Sequence, residues 1–570
     1  MNGKKAIGTM SNQNKKPINL PTSPSFIVER ELIISPRDRK FINALLEDAR
    51  KIQNTVLSMA KKRYERMIRS LSHQTLYGHL IQVNKELETE PKNKSLQEKR
   101  KETITALRNI SKEYSLTKSQ FEKNAKIVRS YFHNRLDSVA VQKAADRAWI
   151  SFDKYLNKKS KHLHFLKNGE NHSIEGKSNQ ASVVVKYENG ELKLRYGDYY
   201  FQFIPIKKND LYMEETISSI RSFFETPLDQ NEAVQENTKL QLSFINEEIT
   251  KEYYQKHFQS TYRIKYNRII KKVIRGRERF YLQMIVEGRP VPKRKKDGKF
   301  RHQLGKGTVG NDFGTQTVGV ASNDKVALIN LAENVENIDC KLNKIQRKMD
   351  RSRRKSNSEN YHKNGTVKKG KKKWIDSKRY RKLKAKAKEL HRKTAIKRKL
   401  AHQTLTNQLI HLGDIFIGEE MNFKALQKRK KDTEKNEKGQ YKRKKRFGKS
   451  LANKAPSMFI SIYRTKVNQL GGTFLLVNTK KFKASQYDHT TQTPVKKQLS
   501  QRWHILSDGT QVQRDLYSSF LLKCSNVTLD QPDFALCSFE FNAFIVKHDE
   551  FIEQTIASKK KIMNSGIKVV

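Results

Sequence analysis

The chain has 570 residues, enough for several domains with cores of their own, and carries 117 Lys and Arg against 58 Asp and Glu. A formal net charge of +59 and a pI near 10.1 leave the free protein repelling itself until a polyanion neutralises it. Nucleic acid is the polyanion that such a balance fits, because each neutralised phosphate releases a counterion. A membrane-surface role is disfavoured, since neither an amphipathic anchor nor a lipidation motif accompanies the charge. The N-terminus lacks the apolar region of a secretory signal. No stretch reaches the roughly 18–20 apolar residues of a membrane span. Cys340, Cys524 and Cys537 are too few and too scattered for a disulfide framework. The expected setting is the bacterial cytoplasm, in association with the nucleoid.

In chain order, residues 1–24 read as a disordered polar tail and SFIVERELIIS (25–35) as a strand. From Pro36 to about residue 150 apolar residues recur at three-to-four spacing, the mark of helices. Within that block, 89–102 reads as a charged connector. Strand patterns return from about 160 to 300, with Asn189-Gly190 between two alternating runs as a hairpin signal. ERFYLQMIVEG (278–288) is a further strand, and the order strand, helices, strands suggests a helical block inserted into a β-barrel.

A basic loop then leads into three short strands, GTVGNDFG, QTVGVAS and KVALINL. A very basic helical stretch runs to about residue 411. DIFIGEEM and TFLLVNT read as strands, APSMFISIYRTKVNQLG and RDLYSSFLLKC as helices, and FEFNAFIVKHDEFIEQTI as a terminal helix. Three antiparallel strands followed by two more that alternate with helices is the order of an RNase H-like fold.

Three acids stand out in this half. Asp312 ends the first strand, Glu419 ends the fourth, and Asp515 opens a late helix. Each alone has an ordinary reading: a turn aspartate, a solvated strand end and an N-cap. Together they form a set of hard oxygen donors, which Mg²⁺ prefers, with Mn²⁺ able to substitute. Two such ions are what phosphodiester cleavage uses to neutralise the attacking and leaving oxygens. The acids lie 107 and 96 residues apart, so only folding can unite them.

These motifs carry a resemblance to a known family. GNDFGTQTVGVAS, the segment from Lys393 through IFIGEEMNFKAL, and SQYDHTTQTPVKKQLSQRWHILSDGTQVQRDLYSSFLL resemble the three motifs of the RuvC nuclease domain of TnpB. TnpB is the transposon-encoded, RNA-guided endonuclease family related to type V CRISPR effectors. The likeness runs from about 305 to 525 and extends weakly over the N-terminal half. It implies an α+β multidomain protein: a wedge-like β-barrel at 25–36 and 151–304, a helical recognition insert at 37–150, and a RuvC-like nuclease domain at 305–483 and 514–530. An insert at 484–513 would contact target nucleic acid, and 531–570 is left as a C-terminal tail.

By position the resemblance makes Asp312, Glu419 and Asp515 both catalytic and metal-binding, with Glu420 as a neighbour. It implies a guide RNA from the transposon end and a double-stranded target DNA, cut beside a short flanking motif, with a transposase encoded nearby. No membrane partner is expected. Arg379, Arg381, Lys382, Lys386, Arg392, Lys393, Lys397, Arg398 and Arg514 are the expected nucleic-acid contacts, since a guide–target duplex is held through its backbone. One departure is visible. The family's zinc ribbon uses two cysteine pairs, and 484–513 has none. His489 and His504 supply at most two of about four ligands, so no zinc is expected and packing by Trp503 and Tyr487 would hold the insert. The alternatives are a nuclease-inactive, RNA-guided DNA-binding repressor of the same family, a strand-joining DDE-type transposase, and a ribosomal-like RNA-binding protein.

Overall fold

The computed structural model describes residues 25–225 and 262–569, apart from 92, 158, 289, 291, 292, 296, 428–432, 434–438, 442–446, 496, 497, 499 and 500. The tail expected at 1–24 lies outside the described residues. The chain divides into two compact units, Met1–Val291 and Pro292–Val570. Among the described residues no helix is long and apolar enough to cross a membrane.

In the first unit, strand β1 (Ser25–Glu31) pairs along its whole length with β7 (Arg277–Glu287), which lies some 250 residues later. Between them come five helices: α1 (Pro36–Met67), α2 (Leu71–Thr89), α3 (Lys94–Glu113), α4 (Lys118–Ser130) and α5 (Ser138–Leu156). The helical block is therefore inserted between two partner strands. A capping box of Ser35 and Asp38, with Pro36 in the first turn, fixes where it begins. The expected connector at 89–102 is shorter than its composition suggests. Asn93 caps a helix from Lys94 onward, and only 90–93 links the two helices.

The four-stranded sheet runs β1-β7-β6-β2, where β2 is Ser173–Glu175 and β6 is Ile264–Ile274. A separate meander holds β3 (Val183–Glu188), β4 (Glu191–Tyr196) and β5 (Tyr199–Phe201). Its first turn is Asn189-Gly190, both at positive φ, as a tight hairpin requires. The two sheets touch through the bridge Leu32–Phe203. The expected barrel is thus, among the described residues, a pair of open sheets that share one apolar core with the helices.

The second unit is built on one five-stranded sheet in the order β10-β9-β8-β11-β12. Its strands are β8 (Thr308–Phe313), β9 (Thr317–Ala321), β10 (Val326–Asn330), β11 (Ile415–Glu419) and β12 (Thr473–Val477). The first three form an antiparallel meander, and β11 and β12 run parallel to β8. Alternation along each strand sorts side chains to opposite faces. Val309, Phe313, Val318, Val320 and Phe416 pack under the helices Lys378–Leu409 and Pro456–Gln469. Ala321, Val326 and Leu328 pack on the other face under Arg514–Lys523 and the terminal helix Phe534–Ala557.

The basic stretch before β11 is two helices, Asp339–Lys355 and Lys378–Leu409, rather than one. Buried Asn357 holds the intervening loop, donating to the Arg353 and Ile375 carbonyls and accepting from the Ile375 N–H. The last residues also belong to the core. Ile562 packs on the Arg514–Lys523 side, and Asn330 bonds to both the Lys561 carbonyl and the Met563 N–H.

Candidate active site

β8 and β11 are parallel neighbours in the register Asn311 to Gly418. One step further along, Asp312 and Glu419 stand side by side at the C-terminal edge, on the same face of the sheet. The opposite face is tied by Asn311, whose Nδ2 donates to the Val309 and Ile417 carbonyls. Asp312 is therefore a strand residue, not a turn aspartate.

The third acid arrives on the helix Arg514–Lys523. Its N-cap is Gln513, whose side chain accepts from the Leu516 N–H at 2.8 Å. The carboxylate of Asp515, in the first turn, is thus not spent on capping. This helix lies against bare backbone. A methyl group at Gly310 would collide with the Ser519 carbonyl and the Lys523 nitrogen. One at Gly319 would sit 2.5 Å from Ser519 Oγ and 2.6 Å from the Asp515 carbonyl. Two glycines of β8 and β9 let the helix descend until its first turn overlies the edge that carries the other two acids.

Ser519 joins the pieces. Its hydroxyl donates to the Asp515 carbonyl at 2.8 Å and accepts from the Asp312 N–H at 3.3 Å.

The electrostatics are those of crowded like charges. Burial raises the Asp312 carboxyl well above its ordinary value, and the negative charges of Asp515 and Glu419 add to the shift. Burial lifts Glu419 to about 7, opposed by a hydrogen bond from the Ala484 backbone. Two arginines offset the acids. Arg514 places Nε and an Nη on the same Asp515 oxygen, at 3.0 and 2.9 Å, and Arg502 approaches the other oxygen at 3.9 Å.

The donor set is entirely oxygen, as Mg²⁺ or Mn²⁺ requires. Among the described residues no three His, Cys, Asp or Glu side chains stand arranged to hold an ion. The acids are near enough to perturb one another, while Arg514 occupies an Asp515 oxygen. The donor type suits a hard divalent cation, while the arrangement seen here is not one that holds it. Glu420 is exposed, outside this cluster.

Of the expected nucleic-acid residues, Arg379, Arg381, Lys382, Lys386, Lys393 and Lys397 are exposed on the long helix Lys378–Leu409. Arg392 forks onto Glu389, Arg398 is half-buried, and Arg514 is committed to Asp515. Arg502 and Ser519 escaped sequence reasoning. Neither type is distinctive in its context, and only the fold brings them to the acids.

The insert at 484–513 is anchored by side chains. Trp503 donates to the Gly566 carbonyl at 3.0 Å, and Tyr487 packs on Phe534. His489 Nδ1 lies 2.8 Å from the Tyr517 hydroxyl, and its ring packs 4.4 Å from that of Phe541. His504 is buried.

No family model matches the sequence, and no curated protein matches it. The chain is similar to the solved "Cryo-EM structure of the Cas12f1-sgRNA-target DNA complex", with 12% identity and a TM-score of 0.36 over 89% of this chain and 99% of that one. It is also similar to the "Cryo-EM structure of CRISPR-Cas12f Ternary Complex", with 13% identity and a TM-score of 0.21 over 86% and 82% of the two chains. A likeness this distant does not by itself decide the activity.

Proposed function

We propose that this chain is an RNA-guided, metal-dependent DNA endonuclease with a RuvC-type centre of Asp312, Glu419 and Asp515. The observation that carries the proposal is the convergence of three acids from three distant segments on one edge of a 3-2-1-4-5 mixed sheet. That strand order is the RNase H-like one, and in a chain of this charge the fitting substrate is a phosphodiester.

Asp312, Glu419 and Asp515 would hold the divalent ions, which when bound supply the positive charge that stabilises the attacking and leaving oxygens. The chain's own groups do the rest. Ser519 fixes the spacing of Asp312 and Asp515 through their backbones. Arg502 and Arg514 stand beside the acids with their positive charge, where a scissile phosphate would otherwise meet only carboxylates. The exposed face of Lys378–Leu409 offers Arg379, Arg381, Lys382, Lys386, Lys393 and Lys397 to a duplex backbone. The RNA-guided part of the proposal, the transposon-end guide and the flanking motif rest on the motif resemblance to TnpB.

The test is to purify the protein with its co-expressed RNA and to supply Mg²⁺ with plasmids bearing guide-matched targets and randomised flanks. Sequencing of the cut ends should show matched cleavage beside one short motif. Tight RNA-guided binding with intact plasmid would support the repressor reading instead.

A further inference from the structure

The helix that carries Asp515 has an uncommon cap. Ser, Thr, Asp and Asn are the usual N-cap residues, because a short side chain reaches back to the first turn. Here the cap is Gln513, fully buried, and its longer side chain serves two elements at once. Oε1 accepts the Leu516 N–H at 2.8 Å, and Nε2 donates to the Ser565 carbonyl at 3.0 Å. The Gln513 backbone N–H donates to His548 Nε2 at 2.9 Å. Both partners belong to the stretch 531–570, which the sequence motifs left without a role.

His548 lies on the terminal helix Phe534–Ala557 and is 1% exposed. A ring nitrogen that accepts carries no proton, so the imidazole is the neutral tautomer with its proton on Nδ1. Asp549 Oδ1, 2.7 Å from Nδ1, fixes that choice, and burial favours the neutral ring by lowering its pKa. Ser565 is equally buried, and its hydroxyl donates to the Ile562 carbonyl at 3.1 Å. The next residue, Gly566, accepts from Trp503 Nε1 at 3.0 Å. At a φ of +74° it packs so closely that a methyl group would lie 2.5 Å from Arg502 Cβ. The same stretch thus meets the cap of the Asp515 turn and also Arg502, whose guanidinium approaches Asp515 at 3.9 Å.

The first turn is where a helix frays readily, since its N–H groups lack partners within the helix. A carboxylate in that turn depends on the cap for a fixed direction. We propose that the C-terminal stretch is a clamp on the candidate active site, in which His548 and Ser565 lock Gln513 and so fix where Asp515 stands. Gln513 and His548 are then positioning residues, and the inference rests on the nuclease reading of the three acids.

The test uses the full RNA-bound chain with Mg²⁺ and a guide-matched plasmid, and reads single-turnover cutting, target affinity and Tm. His548→Leu removes the acceptor while filling much the same space. His548→Gln keeps an acceptor near the position of Nε2. Gln513→Ser keeps a cap and loses the reach to Ser565. Val467→Ala, in the core on the opposite face of the sheet, is the control that lowers Tm without touching the clamp. His548→Leu and Gln513→Ser should slow cutting about tenfold or more, because small misplacements of reacting groups are costly. Their target affinity should stay within about twofold of wild type. His548→Gln should restore most of the rate, and Val467→Ala should cut at the wild-type rate wherever it is folded. If His548→Leu fails to fold, Gln513→Ser decides on its own. The clamp is overturned if the two disabling variants cut as fast as Val467→Ala, or if His548→Gln is as slow as His548→Leu. A wild type that leaves the plasmid intact overturns the nuclease reading and the clamp with it, whereas fast cutting by the variants overturns the clamp alone.

Discussion

Ser519 Oγ accepts the backbone N–H of Asp312 at 3.3 Å, and the same hydroxyl donates to the carbonyl of Asp515 at 2.8 Å. One buried side chain thereby sets the distance between two acids that are 203 residues apart in sequence. Replacing it with alanine removes one hydrogen bond to each of the two acid-bearing segments, at a cost of about 0.5–1.5 kcal/mol apiece. Ser519→Ala should fold with a lowered Tm, and its cleavage rate should fall on the order of 10- to 100-fold because the acids lose their spacing. Thermal melts and single-turnover cleavage measure the two effects separately.

The seating of that helix depends on Gly310 and Gly319. Neither needs an unusual φ; what they supply is space. A methyl group at Gly319 meets the Asp515 carbonyl at 2.6 Å, and a carbonyl in a packed helix has no room to retreat. Gly319→Ala should destabilise the second unit by about 1–3 kcal/mol or more. Gly190→Ala in the first unit meets no atom within 4 Å and should cost less, through its positive φ alone. Urea titrations of the two variants should rank them in that order, and equal midpoints would contradict the close approach.

Glu419 gives a pH signature. Its folded value near 7 lies above the ordinary glutamate value of 4.5, so between those limits the folded chain binds more protons than the unfolded one. Stability then falls as pH rises through this window. Without metal, Glu419→Gln should melt above wild type at pH 8 and lose that advantage near pH 4.5. Adding Mg²⁺ at pH 8 should raise the Tm of wild type and leave that of Glu419→Gln nearly unchanged. A variant that gains nothing at pH 8 would show that burial does not burden this carboxylate.

Much of the second unit was legible in its residues, for definite reasons. Its strands are short apolar runs closed by turn residues, and a carboxylate directly after such a run is aimed at a sheet edge. The Asn189-Gly190 hairpin was legible because its turn demands positive φ. Other features left no such trace. Residues 94–102 form helix despite their charge, because only Thr103 and Ile110 of α3 are buried and the rest of its surface is free to be polar. The loop between the two basic helices is held by the amide of Asn357, which looks like any other polar residue in sequence. Arg502 reaches the acids through chain reversal in the insert. The close approach that Gly310 and Gly319 allow shows only once the helix is seen to rest on them.

Glu419 and Glu420 are adjacent, yet one is half-buried at the site and the other exposed. Glu420→Ala should therefore cleave within about twofold of wild type, while Glu419→Ala should be inactive with its RNA still bound. Equal loss in both would mean that the strand end, rather than one carboxylate, is what matters.

The most direct measurement is cleavage of a guide-matched plasmid, with Mg²⁺, by the RNA-bound protein and by its Asp312→Ala form at equal RNA occupancy. A centre built on Asp312 predicts cutting by the first and an intact plasmid with the second, both binding the target alike. Cutting that survives Asp312→Ala would contradict it.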